Sequence, residues 1–207
     1  MTTLSHPCRR SAMALLIAGI SAAPLGLAAA PLDLVAPVAG DSLPESKRTA
    51  PGLYITAAEA GAVLERNANV ALIDVRTPSE TMLIGYPTPA AANIPSKFVD
   101  PELGFNAKKG VYKMIDNPAF VDEMKAWLAS DAAQGIDTLL VMCRSGSRSA
   151  DAIGRLVDAG LDVTLYNVVD GFEGDKNDDG VRAVNGWRNA GLPWTYKVRE
   201  GLWPGHN

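Results

Sequence analysis

Cys143 opens the run Cys143-Arg144-Ser145-Gly146-Ser147-Arg148-Ser149, and this run holds most of the chemistry the chain can offer. The residues before it, 138–142 (TLLVM), read as a buried strand, and residues 149–159 read as the first turns of a helix. A thiol held between a strand end and a helix start faces free backbone N–H groups and the positive end of a helix dipole. That setting favours the thiolate, which is the reactive form of cysteine. Gly146 and the serines keep the loop small enough for the amides of residues 144–149 to curl toward the sulfur. Arg148, and secondarily Arg144, add fixed positive charge. His206 stands at the far end of the chain, so a Cys-His pair is not expected.

The elements that must carry this loop follow from periodicity. Thr56 and Glu59 have the spacing of a capping box, which predicts a helix over 57–67. Residues 70–75 (VALIDV) predict a strand. Residues 77–101 carry five prolines and read as largely loop, with a short strand near Asn93 and Ile94. Asn117-Pro118 reads as a cap and first helical residue, and Phe120, Val121, Met124, Trp127 and Leu128 repeat at helical spacing. Another strand is expected over 163–169 and a helix over 181–190. Strands alternating with helices predict an α/β fold in three layers: a mostly parallel central sheet with helices on both faces. Reactive groups then lie beyond the carboxyl ends of the strands, where Cys143 and the Asp74–Arg76 segment fall.

Composition narrows the possibilities further. Residues 1–30 have a short basic region at Arg9-Arg10, an apolar stretch and small residues at Ala28–Ala30, the pattern of a cleaved signal peptide. Its removal would take Cys8 and His6 and lower Lys+Arg from 19 to 17 against 23 Asp+Glu, giving a net charge of −6. An exported, periplasmic protein is expected, and an acidic one is a poor partner for nucleic acid or an anionic membrane. Residues 31–52 read as a linker or extended arm, 53–196 as the folded domain, and 197–207 as a loosely held tail. With one cysteine left in the domain, no internal disulfide is available. Asp175 to Gly180 has the Asp-x-Asn-x-Asp-Gly spacing of a calcium loop. The twelfth position is Gly186 rather than a carboxylate, so a solvated turn is expected and no metal site is assigned. Trp187 and Trp194 read as packing residues.

Several segments, in order, resemble the rhodanese family of single-domain sulfurtransferases. They are LIDVRTPSE (72–80), AANIP (91–95), VMCRSGSRSA (141–150), GFEG (171–174) and GWRNAGLPW (186–194). The resemblance spans about residues 53–196. It implies a rhodanese-like fold; a monomer that needs no cofactor is expected. It also implies sulfane sulfur transfer from thiosulfate or a related donor to a thiophilic acceptor through a Cys143 persulfide. The small sulfur-containing anion or protein thiol is then the partner. In that reading Cys143 is the nucleophile and Arg148 orients the anionic donor. Arg144, Ser145, Gly146, Ser147 and Ser149 line the binding loop, and Asp74 and Arg76 support it. The stretch IGYPTPAAANIP lacks the histidine and glycine that family members often carry before AxNIP, and residues 96–116 are longer than a minimal domain needs. Two other readings follow from related folds: a non-catalytic or sulfur-carrying module, and a phosphatase or arsenate reductase. The latter use five residues between cysteine and arginine, whereas here there are four.

Overall fold

In the computed structural model, residues 1–2 and 31–206 are described. The expected signal peptide therefore lies outside the described residues, apart from its first two. No helix among the described residues is long and apolar enough to cross a membrane. The elements in chain order are β1 (Tyr54–Ile55), α1 (Ala57–Arg66), β2 (Val70–Asp74), α2 (Pro78–Ile84), β3 (Tyr86–Pro87), β4 (Ala90–Asn93) and β5 (Lys97–Val99). They continue with β6 (Phe105–Asn106), β7 (Val111–Tyr112), β8 (Met114–Asp116), α3 (Phe120–Leu128), β9 (Thr138–Met142), α4 (Ser147–Asp158), β10 (Thr164–Val168) and β11 (Trp194–Thr195).

The central sheet has the order β1-β10-β9-β2-β4, and every pairing in it is parallel. Both β2 and β9 are buried along their whole length, as parallel strands covered on two faces must be. Alternation along the strands divides the core in two. Ile73, Leu139 and Val141 meet Phe120, Met124 and Trp127 of α3 and Ile153 and Leu156 of α4. Leu72, Leu140 and Met142 face the other way, onto Ala60 and Val63 of α1 and onto Phe172 and Trp187. This is the three-layer α/β architecture expected from the sequence.

Four local expectations are corrected. Residues 77–101 are not largely loop, because Thr77 and Glu80 form a capping box: Thr77 Oγ1 accepts from the Glu80 N–H at 3.1 Å and the Glu80 carboxylate accepts from the Thr77 N–H at 2.9 Å. Pro78, at the first helical position, fits α2 rather than breaking it. Residues 181–190 are not helical. Asn189 Nδ2 donates to the Arg182 and Asn185 carbonyls, the Asn185 Oδ1 accepts from the Asp175 N–H, and Gly186 sits at φ 96° with its N–H donated to Asp170. The helix after Asn117 starts at Phe120, with Asn117 Oδ1 accepting from the Ala119 N–H just ahead of it. The C-terminal segment is held, since Leu202 is buried in the core and its carbonyl accepts from the Asn93 N–H at 2.7 Å.

Residues 31–52 run over the domain. Leu32 and Leu34 pack on the core, the Leu32 N–H donates to the Tyr166 hydroxyl at 2.8 Å, and the Lys47 carbonyl accepts from Asn167 at 2.9 Å. Between β4 and α3 the chain makes two small antiparallel pairs, β5 with β8 and β6 with β7. Lys97 ties this insert to α4 through Asp151 at 3.1 Å, and Arg155 of α4 donates to the carbonyls of Ser96 and Asn117.

Candidate active site: the Cys143 loop

Strand β9 ends at Met142 and α4 begins at Ser147, so residues 143–146 make the turn at the carboxyl edge of the sheet. Two glycines make that turn possible. Gly146, the residue preceding α4, has φ 95°, and a Cβ there would lie 2.1 Å from the Val169 carbonyl oxygen. Gly171 has φ 60°, and a Cβ there would lie 2.5 Å from the Cys143 carbonyl oxygen. Only glycine accepts both the backbone angle and the close approach. The Phe172 N–H then donates to the Cys143 carbonyl at 2.9 Å, and the Glu173 N–H to the Arg144 carbonyl at 3.0 Å, holding the loop from below.

The Cys143 sulfur accepts from the Gly146 N–H at 3.2 Å and lies 3.4 Å from the Ser149 hydroxyl. The expected collar of amides from residues 144–149 thus reduces, among the described residues, to one amide and one hydroxyl. Ser149 is itself placed by Asn167 of β10, whose Oδ1 lies 2.6 Å from the hydroxyl. Asn167 Nδ2 donates onward to the carbonyls of Gly146 and Lys47. Ser149 and Asn167 are both fully buried.

Arg148 does not face the sulfur with a free guanidinium. Its two terminal nitrogens each donate to a separate Glu80 oxygen at 2.7 Å. Burial opposes the charge on Glu80, yet the Arg148 hydrogen bonds and charge outweigh it and hold the carboxyl at about 2. Asp74 and Arg76 are fully buried and paired at 2.6 Å, and Arg76 lies 4.2 Å over the Phe172 ring. Asp74 also pairs in register with Met142, directly before Cys143, and Arg76 reaches Phe172 rather than the sulfur.

Cys143 is 1% exposed, and it lies at the base of a cleft of about 760 Å³. The cleft wall includes Arg144, Ser145, Ser147 and Arg148 from the loop, Arg182 from a later turn, and Asn106, Lys109, Tyr112, Lys113 and Met114 from the insert. The charged residues in this wall are Lys97, Lys109, Lys113, Arg144, Arg148 and Arg182 against Glu80 and Asp151, so the cleft is cationic in an acidic chain. Such a cleft attracts small anions.

Sequence reasoning identified Cys143, Arg144 and the loop serines but assigned no role to Glu80, Asn167, Gly171 or Arg182. Glu80 was legible through the Thr-Pro-Ser-Glu capping pattern, although nothing in the spacing tied it to Arg148. Two side chains of the calcium-type turn are engaged within the protein. Asp175 pairs with Lys47 at 2.9 Å, and Asn177 Oδ1 accepts from the Val181 N–H.

No protein-family model matches the chain. An uncharacterized protein of Rickettsia prowazekii is 31% identical over 132 residues, covering 63% of this chain and 86% of that protein. One of Rickettsia conorii is 30% identical over 135 residues, covering 65% and 89%. The chain belongs to the family of these rickettsial proteins. Among solved structures, the M. tuberculosis protein Rv0390 is 28% identical with a TM-score of 0.49, covering 69% of this chain and 96% of that one. A rhodanese-related protein of Thermoplasma volcanium is 18% identical with a TM-score of 0.36, covering 70% and 99%. A Rhodopseudomonas palustris protein of unknown function, described as a possible tyrosine phosphatase, is 21% identical with a TM-score of 0.40, covering 68% and 83%.

Proposed function

We propose that this chain is a rhodanese-like sulfurtransferase in which Cys143 carries sulfane sulfur as a persulfide. The observation that carries the reading is the Cys143 sulfur itself, held at the end of β9 with the Gly146 N–H at 3.2 Å and set at the base of a cationic cleft. The Cys143 thiolate attacks the outer sulfur of a donor such as thiosulfate. The S–S bond of the donor breaks, sulfite leaves with the electron pair, and Cys143–S–S⁻ remains. An acceptor thiolate or cyanide then attacks the terminal sulfur, and the Cys143 thiolate is released. The Gly146 amide and the dipole of α4 stabilise negative charge on the sulfur during attack and in the persulfide.

The Arg148–Glu80 pair weighs against phosphatase chemistry on this loop. A phosphate requires the loop arginine free to grip two oxygens, and here both terminal nitrogens are taken by a carboxylate. The signal-peptide pattern of residues 1–30 supports an exported, periplasmic protein, and the persulfide reading makes its partner a small sulfur-containing anion or a protein thiol.

Intact-mass spectrometry after incubation with thiosulfate tests the proposal. The expected result is a gain of one sulfur atom, reversed by cyanide and absent in Cys143→Ala. Failure to gain sulfur from thiosulfate, a polysulfide or an organic trisulfide would leave the fold as a non-catalytic module.

A further inference from the structure

Residues 97–116 form one bent hairpin beside the Cys143 cleft. Lys97, Phe98 and Val99 pair with Asp116, Ile115 and Met114, and farther out Phe105 and Asn106 pair with Tyr112 and Val111. Between the two pairs the Asp100 N–H donates to the Lys113 carbonyl, so the strands stay joined through the bend. The base is fixed to α4, yet Leu103, Phe105, Val111 and Tyr112 are each at least half exposed. Phe105 and Tyr112 meet edge to face with ring centres 6.3 Å apart, and this contact still leaves both rings open to solvent. Leu103 holds φ 53°, a left-handed backbone that costs an L residue energy, and presents its side chain outward from it. A two-stranded hairpin is marginal in water, and apolar side chains held outward on one mark a surface that something covers.

Charge says what kind of partner fits. The tip and returning strand, residues 107–115, carry Lys108, Lys109 and Lys113 and no carboxylate, in a chain of net charge −4. None of these three lysines forms an ion pair among the described residues. Asp100 and Asp116 are used locally, the first by the Glu102 and Gly104 N–H groups and the second by Lys97. Lys109, Val111, Tyr112 and Lys113 also border the cleft that has Cys143 at its base. An occupant of the hairpin therefore continues into the cleft. An extended polypeptide can follow that path to a cysteine 1% exposed, whereas a bilayer surface or the convex face of a folded domain cannot.

We infer that this hairpin docks a flexible acidic segment of a partner protein, one that interleaves apolar side chains with aspartate or glutamate and carries the thiol that accepts sulfur from Cys143. The role of that thiol rests on the persulfide reading above; the docking does not. Apolar side chains of the segment cover Leu103, Phe105 and Val111, while its carboxylates meet the three lysines and orient it. The acceptor thiolate then attacks the terminal sulfur of the Cys143 persulfide. A new S–S bond forms on the acceptor cysteine, the bond to Cys143 breaks, and its electron pair stays on the Cys143 thiolate.

A displayed library of random peptides, selected on the immobilised protein, tests this. The expected peptides are rich in aspartate and glutamate with interspersed apolar residues. By fluorescence anisotropy they bind Lys108→Glu and Phe105→Ser about tenfold more weakly than wild type, the loss of one docking contact in each. Arg66→Gln, on the remote helix α1, binds them as wild type does. From sulfur-loaded protein, transfer to a selected peptide extended by a cysteine slows about tenfold in Phe105→Ser, while cyanide removes the sulfur at the wild-type rate. An empty selection, basic peptides, or equal affinity for wild type and both variants overturns the inference and leaves the persulfide reading intact. Binding to phosphatidylglycerol vesicles that Lys108→Glu abolishes, or a dimer that Phe105→Ser dissolves, overturns it in favour of a membrane or a second copy of this chain. Acidic-peptide binding that depends on both residues in a protein that never gains sulfur keeps the docking surface and removes the sulfurtransferase reading instead.

Discussion

Arg148 and Glu80 meet in two parallel hydrogen bonds of 2.7 Å each, joining the first turn of α4 to the first turn of α2. The pair is mostly withdrawn from solvent, with side chains 12% and 19% exposed. It fixes the helix that starts under the cysteine loop to the segment following β2, so a residue expected to bind substrate works here as a clamp. Glu80 does two things at once, since its carboxylate also accepts from the Thr77 N–H.

Removing the carboxylate leaves a buried guanidinium without its counter-charge. Glu80→Gln is expected to lower unfolding stability by about 2–4 kcal/mol, within the range for breaking one side of a largely buried ion pair. Urea unfolding monitored by tryptophan fluorescence checks it. A loss below about 0.5 kcal/mol would mean that the pair behaves as an exposed one.

The same pair predicts a pH dependence. The Glu80 carboxyl falls from its ordinary 4.5 to about 2 in the folded protein, so its stabilising contribution is full above pH 4.5 and lost as pH falls toward 2. The shift corresponds to about 3 kcal/mol, more than half of it gone by pH 3. Other carboxylates titrate in both proteins, so the difference in unfolding free energy between wild type and Glu80→Gln isolates this group. That difference should shrink from pH 6 to pH 3; a constant difference would contradict it.

How much of this was legible beforehand depends on range. Strands β2, β9 and β10 and helices α1 and α4 announced themselves through local periodicity and capping residues, because the forces that select them act within a few positions. Helix α2 was missed because five prolines in residues 77–101 were counted while the Thr77–Glu80 capping box was not. The expected helix at 181–190 failed for the opposite reason: its pattern is acceptable, but Asp170 takes the Gly186 N–H and Asn189 Nδ2 donates to the carbonyls of Arg182 and Asn185. In the site, the cysteine loop was evident from its residues alone. Its partners Glu80, Asn167 and Gly171 lie 68, 18 and more than 20 positions from the groups they hold, and no spacing rule connects them.

Gly171 offers a sharp test of loop packing. With φ 60° and a prospective Cβ 2.5 Å from the Cys143 carbonyl and 2.6 Å from the Arg144 carbonyl carbon, Gly171→Ala must displace backbone rather than a side chain. Sulfur loading measured by intact mass is expected to slow more than tenfold, with circular dichroism retained. Gly180→Ala is the comparison. It shares a positive φ of 79° but has nothing within 4 Å, so it should cost only the strain of the left-handed backbone, about 1 kcal/mol, and load normally.

Ser149 has one proton and three acceptors: Asn167 Oδ1 at 2.6 Å, the Gly146 carbonyl at 3.1 Å and the Cys143 sulfur at 3.4 Å. The shortest contact takes the proton in the resting state, so the hydroxyl stands beside the sulfur without committing to it. When sulfur carries negative charge the hydroxyl can turn, because a charge-assisted bond is worth more than a neutral one. Ser149→Ala should therefore slow alkylation of Cys143 by iodoacetamide at neutral pH about three- to tenfold. Asn167→Leu, which frees the Ser149 proton but unties the loop from β10 and Lys47, should instead lower stability first. If Ser149→Ala alkylates at the wild-type rate across pH 6 to 9, the hydroxyl serves only the contact with Asn167, and the Gly146 amide is left as the side-chain-independent donor to the sulfur.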